Sequence, residues 1–136
     1  MTRGLRNHNP LNIRKSGDRF KGEVVPSSDA AFKQFENDAY GYRAAFVILA
    51  TYLKQGRNTI VAIVARWAPA ADNNNTARYI ENVERRSGID RFQPLTAASG
   101  NDYIRIVAAM SQSENGVPAV MEDVVAGFNL QNRITR

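Results

Sequence analysis

The sequence predicts an α+β domain that is mainly helical, with about five helices and a small N-terminal antiparallel β element. Two observations lead to this prediction. Most of the chain after residue 38 carries apolar residues at three- and four-residue spacing, in segments that end at glycine or proline. Before that point, two short runs containing phenylalanine flank the turn-forming stretch VPSSD.

The N-terminal third of the chain divides into a loop and a hairpin. Residues 3–17 are rich in Asn, Gly and Pro and have no helical period, so they are expected to be a loop or an irregular extended segment. Residues 20–23 and 31–35 are predicted to pair in a sheet of two or three strands. Strands this short need helices to pack against.

Capping residues and stop signals set the predicted helix boundaries. The predicted helices run from Asp38 as N-cap to Gly56, from Asn58 or Thr59 to Pro69, from Asn75 or Thr76 to Gly88, from Ser99 or Asn101 to Gly116, and over residues 119–128 with a stop at Gly127. The first has the longest apolar face and is expected to be central. A single domain over residues 1–136 is predicted, with residues 1–37 as loop and hairpin, 38–128 as helical core and 129–136 as a loose tail.

The composition excludes several classes of chemistry. The chain has no cysteine and one histidine, and it lacks a calcium-loop pattern and a glycine-rich phosphate loop, so neither a metal nor a cofactor is expected. A Ser-His-Asp site would have to use His8, and nothing places a serine beside it. The N-terminus has no apolar signal-peptide core, and no run is long enough to span a membrane. We therefore expect no signal peptide and no stable membrane insertion.

The net charge of +5 indicates an anionic partner. Nucleic acid, an anionic membrane and bacterial wall polymer all fit this charge. Because the basic residues are scattered along the chain, the nucleic-acid hypothesis rests on charge alone. A DNA affinity that did not change with salt would contradict it.

Glu114 is the strongest candidate for a catalytic group. It lies in the last turn of the predicted helix that Gly116 stops. Partial burial and the negative end of the helix dipole both raise the pKa of a carboxyl group there, which suits a general acid. The alternative is a solvated glutamate at a helix end.

Other candidates lie near the predicted hairpin and in the loops. The carboxylates Glu23, Asp29, Glu36 and Asp38 are each either a second catalytic group or a turn or cap residue. Loop amides at Asn9, Asn12 and Asn75 either bind sugar hydroxyls or form turns. Tyr79 either packs in the core or stacks on a sugar ring.

Five motifs together resemble a known family. They are RGLRNHNPLNIR at 3–14, FKQFE with GYRA at 32–44, RWAP at 66–69, NNTARYI at 74–80 and ENG at 114–116. The pattern resembles phage and prophage structural or virion proteins assigned to the lysozyme-like superfamily. The helix-ending SENG is similar to the end of the catalytic helix in phage lysozymes and lytic transglycosylases, although here the hairpin precedes that helix, as in a permuted chain.

The resemblance implies a lysozyme-like fold and a peptidoglycan-cleaving glycosidase, either muramidase or lytic transglycosylase. It implies that Glu114 is the general acid, with Glu36 as the first choice for a second catalytic carboxylate. The residues expected to contact substrate are Asn9, Asn12, Asp29, Tyr40, Asn75 and Tyr79. It also implies a place in the virion, or export from the host cytoplasm by another system, and possible contacts with other virion proteins. A non-catalytic virion protein that binds wall glycan is the alternative.

Overall fold

The computed structural model describes residues 1–134, and the mainly helical α+β prediction is confirmed. Six α-helices and one two-stranded antiparallel sheet make up this part of the chain. The elements are α1 (Arg3–Arg6), β1 (Glu23–Val24), β2 (Gln34–Phe35), α2 (Asp38–Lys54), α3 (Ile60–Trp67), a 3₁₀ turn (Ala70–Asp72), α4 (Thr76–Ser87), α5 (Gly100–Asn115) and α6 (Met121–Ile134).

The N-terminal segment contains a helix that the sequence analysis placed in a loop. Helix α1 is a single turn, and Thr2 caps it by accepting a hydrogen bond from the Leu5 N–H. So short a segment shows no apolar period, which is why the pattern was not visible. Strands β1 and β2 confirm the antiparallel hairpin, with Glu23 opposite Phe35, and a bridge between Arg14 and Phe32 continues the pairing.

Helix α2 begins one residue earlier than predicted, because Asn37 and not Asp38 is its N-cap. Asn37 has extended backbone, and its side-chain oxygen accepts a hydrogen bond from the Tyr40 N–H at 3.0 Å. Asp38 lies in the first turn of α2, where its negative charge interacts favourably with the positive end of the helix dipole. Its carboxylate also lies 2.9 Å from Nδ1 of the His8 ring. The other predicted caps, Thr59, Asn75 and Ser99, are observed.

Helix α6 corrects the predicted stop at Gly127 and the predicted loose tail. The helix runs to Ile134, and Gly127 lies in its middle, against α2. A Cβ at this glycine would lie 2.7 Å from both the Ala39 carbonyl oxygen and the Tyr42 Cβ. Gly127 therefore permits two helices to approach closely. Residues 135 and 136 of the predicted tail lie outside the described residues.

The core lies between α2, α5 and α6 and extends under α3 and α4. Its largest fully buried apolar side chains are Leu11, Phe35, Leu49, Ile60, Ile63, Leu95, Ile106 and Met110. The rings of Phe46 on α2 and Phe128 on α6 meet edge to face at 5.2 Å. No helix within residues 1–134 has the length and apolar composition needed to cross a bilayer.

A lysine is buried beneath the hairpin. Lys33 is 1% exposed, and its Nζ donates to the Glu23 carboxylate at 3.0 Å and to the Asp18 carbonyl at 2.8 Å. The ring of Phe20 covers it at 5.5 Å. The ion pair joins β1 to the chain entering β2, and the bond to the Asp18 carbonyl adds the loop before β1.

Candidate active site

Glu114 lies where three distant parts of the chain meet. Its Oε1 accepts a hydrogen bond from the Asn12 amide at 2.8 Å, and its Oε2 accepts one from the Tyr79 hydroxyl at 2.9 Å. Helix α5 ends immediately afterwards at Gly116, which has a left-handed φ of +74°. The N-terminal loop, α4 and α5 together therefore fix both oxygens of one half-buried carboxyl group.

The carboxyl group is partly buried, and both of its side-chain hydrogen-bond donors are neutral. Burial raises the pKa of Glu114, while the hydrogen bonds from Asn12 and Tyr79 oppose the rise. Burial and the neighbouring Glu114 raise the pKa of Tyr79 well above its ordinary value, so the phenol stays protonated and can donate. A carboxyl group with a raised pKa holds its proton closer to neutral pH, as a general acid must.

Asn12 and Tyr79 were predicted to contact substrate, and the structure places both on Glu114. Asn12 has a left-handed backbone with φ of +53°, a conformation that asparagine tolerates better than most residues. Its N–H donates to the Asn9 carbonyl at 3.0 Å, which closes the turn that directs the Asn12 amide toward α5. Tyr79, on α4, donates its hydroxyl to the same carboxyl group. It therefore does more than pack in the core.

Asn9 has a structural role in place of the predicted substrate contact. It is fully buried, and its amide donates to the carbonyls of Ile13 and Lys33 while its side-chain oxygen accepts from the Ile13 N–H. All these partners belong to the protein backbone. Asn9 thus joins the N-terminal loop to the chain at β2 and supports Asn12 indirectly.

Asp29 is also occupied by internal contacts. Its carboxylate forms a two-pronged ion pair with Arg3 at 2.6 and 2.7 Å and accepts from the Asn7 amide and from two backbone N–H groups. The Arg3 guanidinium holds the pKa of Asp29 well below its usual range. These contacts assign Asp29 to fixing α1 against the hairpin, in place of the predicted substrate contact or water activation.

The remaining predicted residues are Glu36 directly after β2, Tyr40 in α2 and Asn75 at the start of α4. Glu36 is exposed, and its N–H donates to the Gly22 carbonyl at 2.8 Å. The Tyr40 ring covers Gly22, where a Cβ would lie 2.2 Å from it. Asn75 caps α4 by accepting from the Arg78 N–H. None of the three has a hydrogen bond to Glu114 among the described residues, and their predicted substrate roles stay predictions.

Asn115 is the residue that sequence reasoning missed. It is 7% exposed, and its amide donates to the Pro10 carbonyl at 2.8 Å while its side-chain oxygen accepts from the Thr2 hydroxyl at 2.7 Å. The residue after Glu114 therefore fastens the N-terminal segment to the end of α5. An amide directly before a helix-ending glycine was the available signal, but a sequence does not show which distant carbonyl it meets.

Gly4 is the point of closest approach in this arrangement. A Cβ there would lie 2.6 Å from the Asn12 side-chain oxygen and 2.8 Å from the Asn9 carbonyl oxygen. We expect Gly4→Ala to displace Asn12 from Glu114 and to lower the free energy of unfolding by about 1–3 kcal/mol. Thermal unfolding and the Asn12 amide resonances check this, with the unobstructed Gly17→Ala as control. Unchanged Asn12 resonances in Gly4→Ala would contradict the expected displacement.

The raised pKa of Glu114 also predicts how stability changes with pH. The folded state binds the proton more tightly than the unfolded state, so this contribution to stability is present below pH 4.5 and is lost as pH rises through the folded pKa. We therefore expect Glu114→Gln to be more stable than the wild type at neutral pH, and the gain to shrink in acid. Denaturant unfolding at pH 7 and pH 4 measures it; a gain that is larger in acid would contradict the prediction.

Three cavities on the molecule are separate from Glu114. They have volumes of about 650, 710 and 240 Å³, and Glu114 is not in their lining. Within the described residues, no cluster of His, Cys, Asp and Glu is arranged to hold a metal ion.

Comparison with known proteins identifies a relative. No protein-family model matches the chain. Protein P5 of Pseudoalteromonas phage PM2 is 39% identical over 131 residues, a match that covers 93% of this chain and 79% of the relative. Identity at this level over nearly the whole chain reflects common descent. The chain therefore belongs to a family of phage proteins that includes Protein P5 of phage PM2.

Proposed function

We propose that the chain is a lysozyme-like glycosidase that cleaves bacterial peptidoglycan with Glu114 as the general acid. The observation that carries the proposal is the half-buried Glu114 carboxyl group, fixed by Asn12 and Tyr79 at a glycine-terminated helix end. Membership of a phage protein family supports it, as does the net positive charge, which favours an anionic wall polymer. The protein would act from the virion or after export by another system.

The geometry allows proton transfer to a sugar. Each carboxyl oxygen of Glu114 uses one acceptor position for Asn12 or Tyr79 and keeps another for a proton or a ligand. In the proposed reaction, protonated Glu114 gives its proton to the glycosidic oxygen as the bond to the anomeric carbon breaks. The two neutral donors then stabilise the carboxylate that remains.

The two candidate reactions differ in whether a second carboxylate is needed. A hydrolase needs a second carboxylate within about 5–9.5 Å of the acid. The side chains that hydrogen-bond to Glu114, Asn12 and Tyr79, are both neutral and cannot play that part. In the transglycosylase reaction a hydroxyl of the same sugar attacks the anomeric carbon, and Glu114 takes its proton. If the reaction is hydrolysis, exposed Glu36 is the proposed second group.

Product mass decides between these reactions. Purified protein is incubated with insoluble peptidoglycan, and the released muropeptides are analysed by mass spectrometry. Transglycosylase action releases anhydro ends, whereas hydrolysis releases ends that are heavier by the mass of one water. If neither product were released at any pH from 4 to 8, the proposed activity would be contradicted.

A non-catalytic virion protein that binds wall glycan is the second candidate. The observation that favours it is that the two side-chain hydrogen bonds to Glu114 come from neutral groups, so no second carboxylate contacts the acid among the described residues. Sedimentation of the protein with insoluble peptidoglycan, without release of soluble sugars, would support this candidate. Soluble muropeptides would rule it out.

A further inference from the structure

A cavity of about 650 Å³ lies between the loop before β1 and the outer side of α2 and α3. The lining residues that matter here are Phe20, Lys21, Arg43, Ile48, Tyr52 and Arg66. We call this space the arginine cavity. Its volume is typical of sites for small molecules, and its lining does not include Glu114.

Arg43 gives the arginine cavity its unusual character. The residue is 7% exposed, yet its side chain has no hydrogen bond or ion pair among the described residues, and its buried Nε has no partner. Buried arginines in proteins are almost always paired, because an unpaired charge removed from water is costly. Burial lowers the pKa of Arg43, in line with that cost. A bound anion would supply the missing partner.

Most of the other charged residues in the lining are also cationic. Arg19, Lys21 and Arg66 also face the arginine cavity, and Asp18 is its one carboxylate, so four cationic side chains stand against one anion. Guanidinium groups bind phosphate oxygens in pairs, through two parallel N–H groups. Phe20, Ile48 and Tyr52 supply an apolar wall beside these charges.

We propose that the arginine cavity binds the phosphate group of a small ligand that also carries an apolar or aromatic body. Arg43 holds the phosphate from the floor of the cavity, and Lys21 and Arg66 contact it from the exposed rim. The apolar wall then packs against the body of the ligand. This site is separate from Glu114, and it stands whether or not the chain cleaves glycan.

Phenyl phosphate and inorganic phosphate are the probes. Calorimetric titration of the whole chain should show saturable binding, tighter for phenyl phosphate. We expect Arg43→Met, which keeps the aliphatic stem, to raise Kd by about tenfold or more, and the exposed Arg66→Gln to raise it several-fold. Arg78→Gln, an exposed change on α4 outside the cavity, is the control and should leave Kd unchanged.

If Arg43→Met does not fold, nitrogen NMR of the wild type provides a second test. In the wild type, the Arg43 Nε–H resonance should shift as phenyl phosphate is added. No saturable binding, an unmoved Arg43 resonance, or equal Kd in the wild type and Arg66→Gln would overturn the proposal. Binding to phosphatidylglycerol vesicles without binding to phenyl phosphate would indicate recognition of a membrane surface, and would overturn it as well.

Discussion

Glu114→Gln is expected to lower the rate of peptidoglycan cleavage by about a hundredfold to ten-thousandfold, the usual contribution of a general acid. Glutamine keeps the shape of the side chain. Its oxygen can accept from the Asn12 amide, and its amide can donate to the Tyr79 hydroxyl oxygen. What it loses is the proton that the leaving oxygen needs. Muropeptide release over time, measured on insoluble peptidoglycan, gives the ratio of the two rates.

Two matched variants make this result specific. Glu81→Gln is the same chemical change at an exposed position on α4 and should keep the wild-type rate. Glu36→Gln separates the two reactions: a loss comparable with that of Glu114→Gln would indicate a hydrolase, and full activity would favour the transglycosylase. If Glu114→Gln remained as active as Glu81→Gln while folding normally, Glu114 would not be the acid.

The second large effect is on folding, where Glu23→Gln should lower the free energy of unfolding by about 3–5 kcal/mol. The substitution leaves the buried Lys33 ammonium without its carboxylate, and Lys33 is 1% exposed, so water cannot replace the partner. Chemical denaturation at neutral pH measures the change. Asp102→Asn, which breaks an exposed ion pair with Arg105, should cost less than about 1 kcal/mol and serves as the control.

A double substitution distinguishes charge burial from packing. Replacing both partners by apolar residues, as in Glu23→Leu with Lys33→Met, removes the unpaired charge and should recover most of the lost stability. If Glu23→Gln behaved like Asp102→Asn, the Lys33–Glu23 pair would not stabilise the hairpin. Failure of the double variant to recover would instead assign the loss to packing and to the lost contact with the Asp18 carbonyl.

Local chemistry made most of the helices predictable. Thr59 and Asn75 cap their helices, and Gly88 and Gly116 end theirs, because these signals act over a single turn. Gly127 shows the limit of the same reasoning. A glycine that ends a helix and a glycine that lets another helix approach look alike in sequence, and only the position of α2 separates them.

The sequence was enough to predict the acid of the candidate site, Glu114, but not the residues that surround it. The position of Glu114 before Gly116 follows from the spacing of one helix. Its neighbours depend on which loop and which tyrosine pack against that helix, and apolar periodicity carries no such information. For that reason Asn9, a loop amide, and Asp29, a carboxylate near the hairpin, proved to be hydrogen-bonded within the protein itself. The burial of Lys33 was not predictable for the same reason, since a lysine ordinarily faces solvent.

The fastening of the N-terminal segment to α5 affects when the site can form during synthesis. Asn12 and Glu114 are 102 residues apart, and Thr2 and Asn115 are 113 apart. Contacts of such long sequence separation form only after the entropy of closing a large loop has been overcome. A growing chain on the ribosome cannot make them until α5 has emerged. The Glu114 carboxyl group therefore acquires its two donors only after α5 has been synthesised.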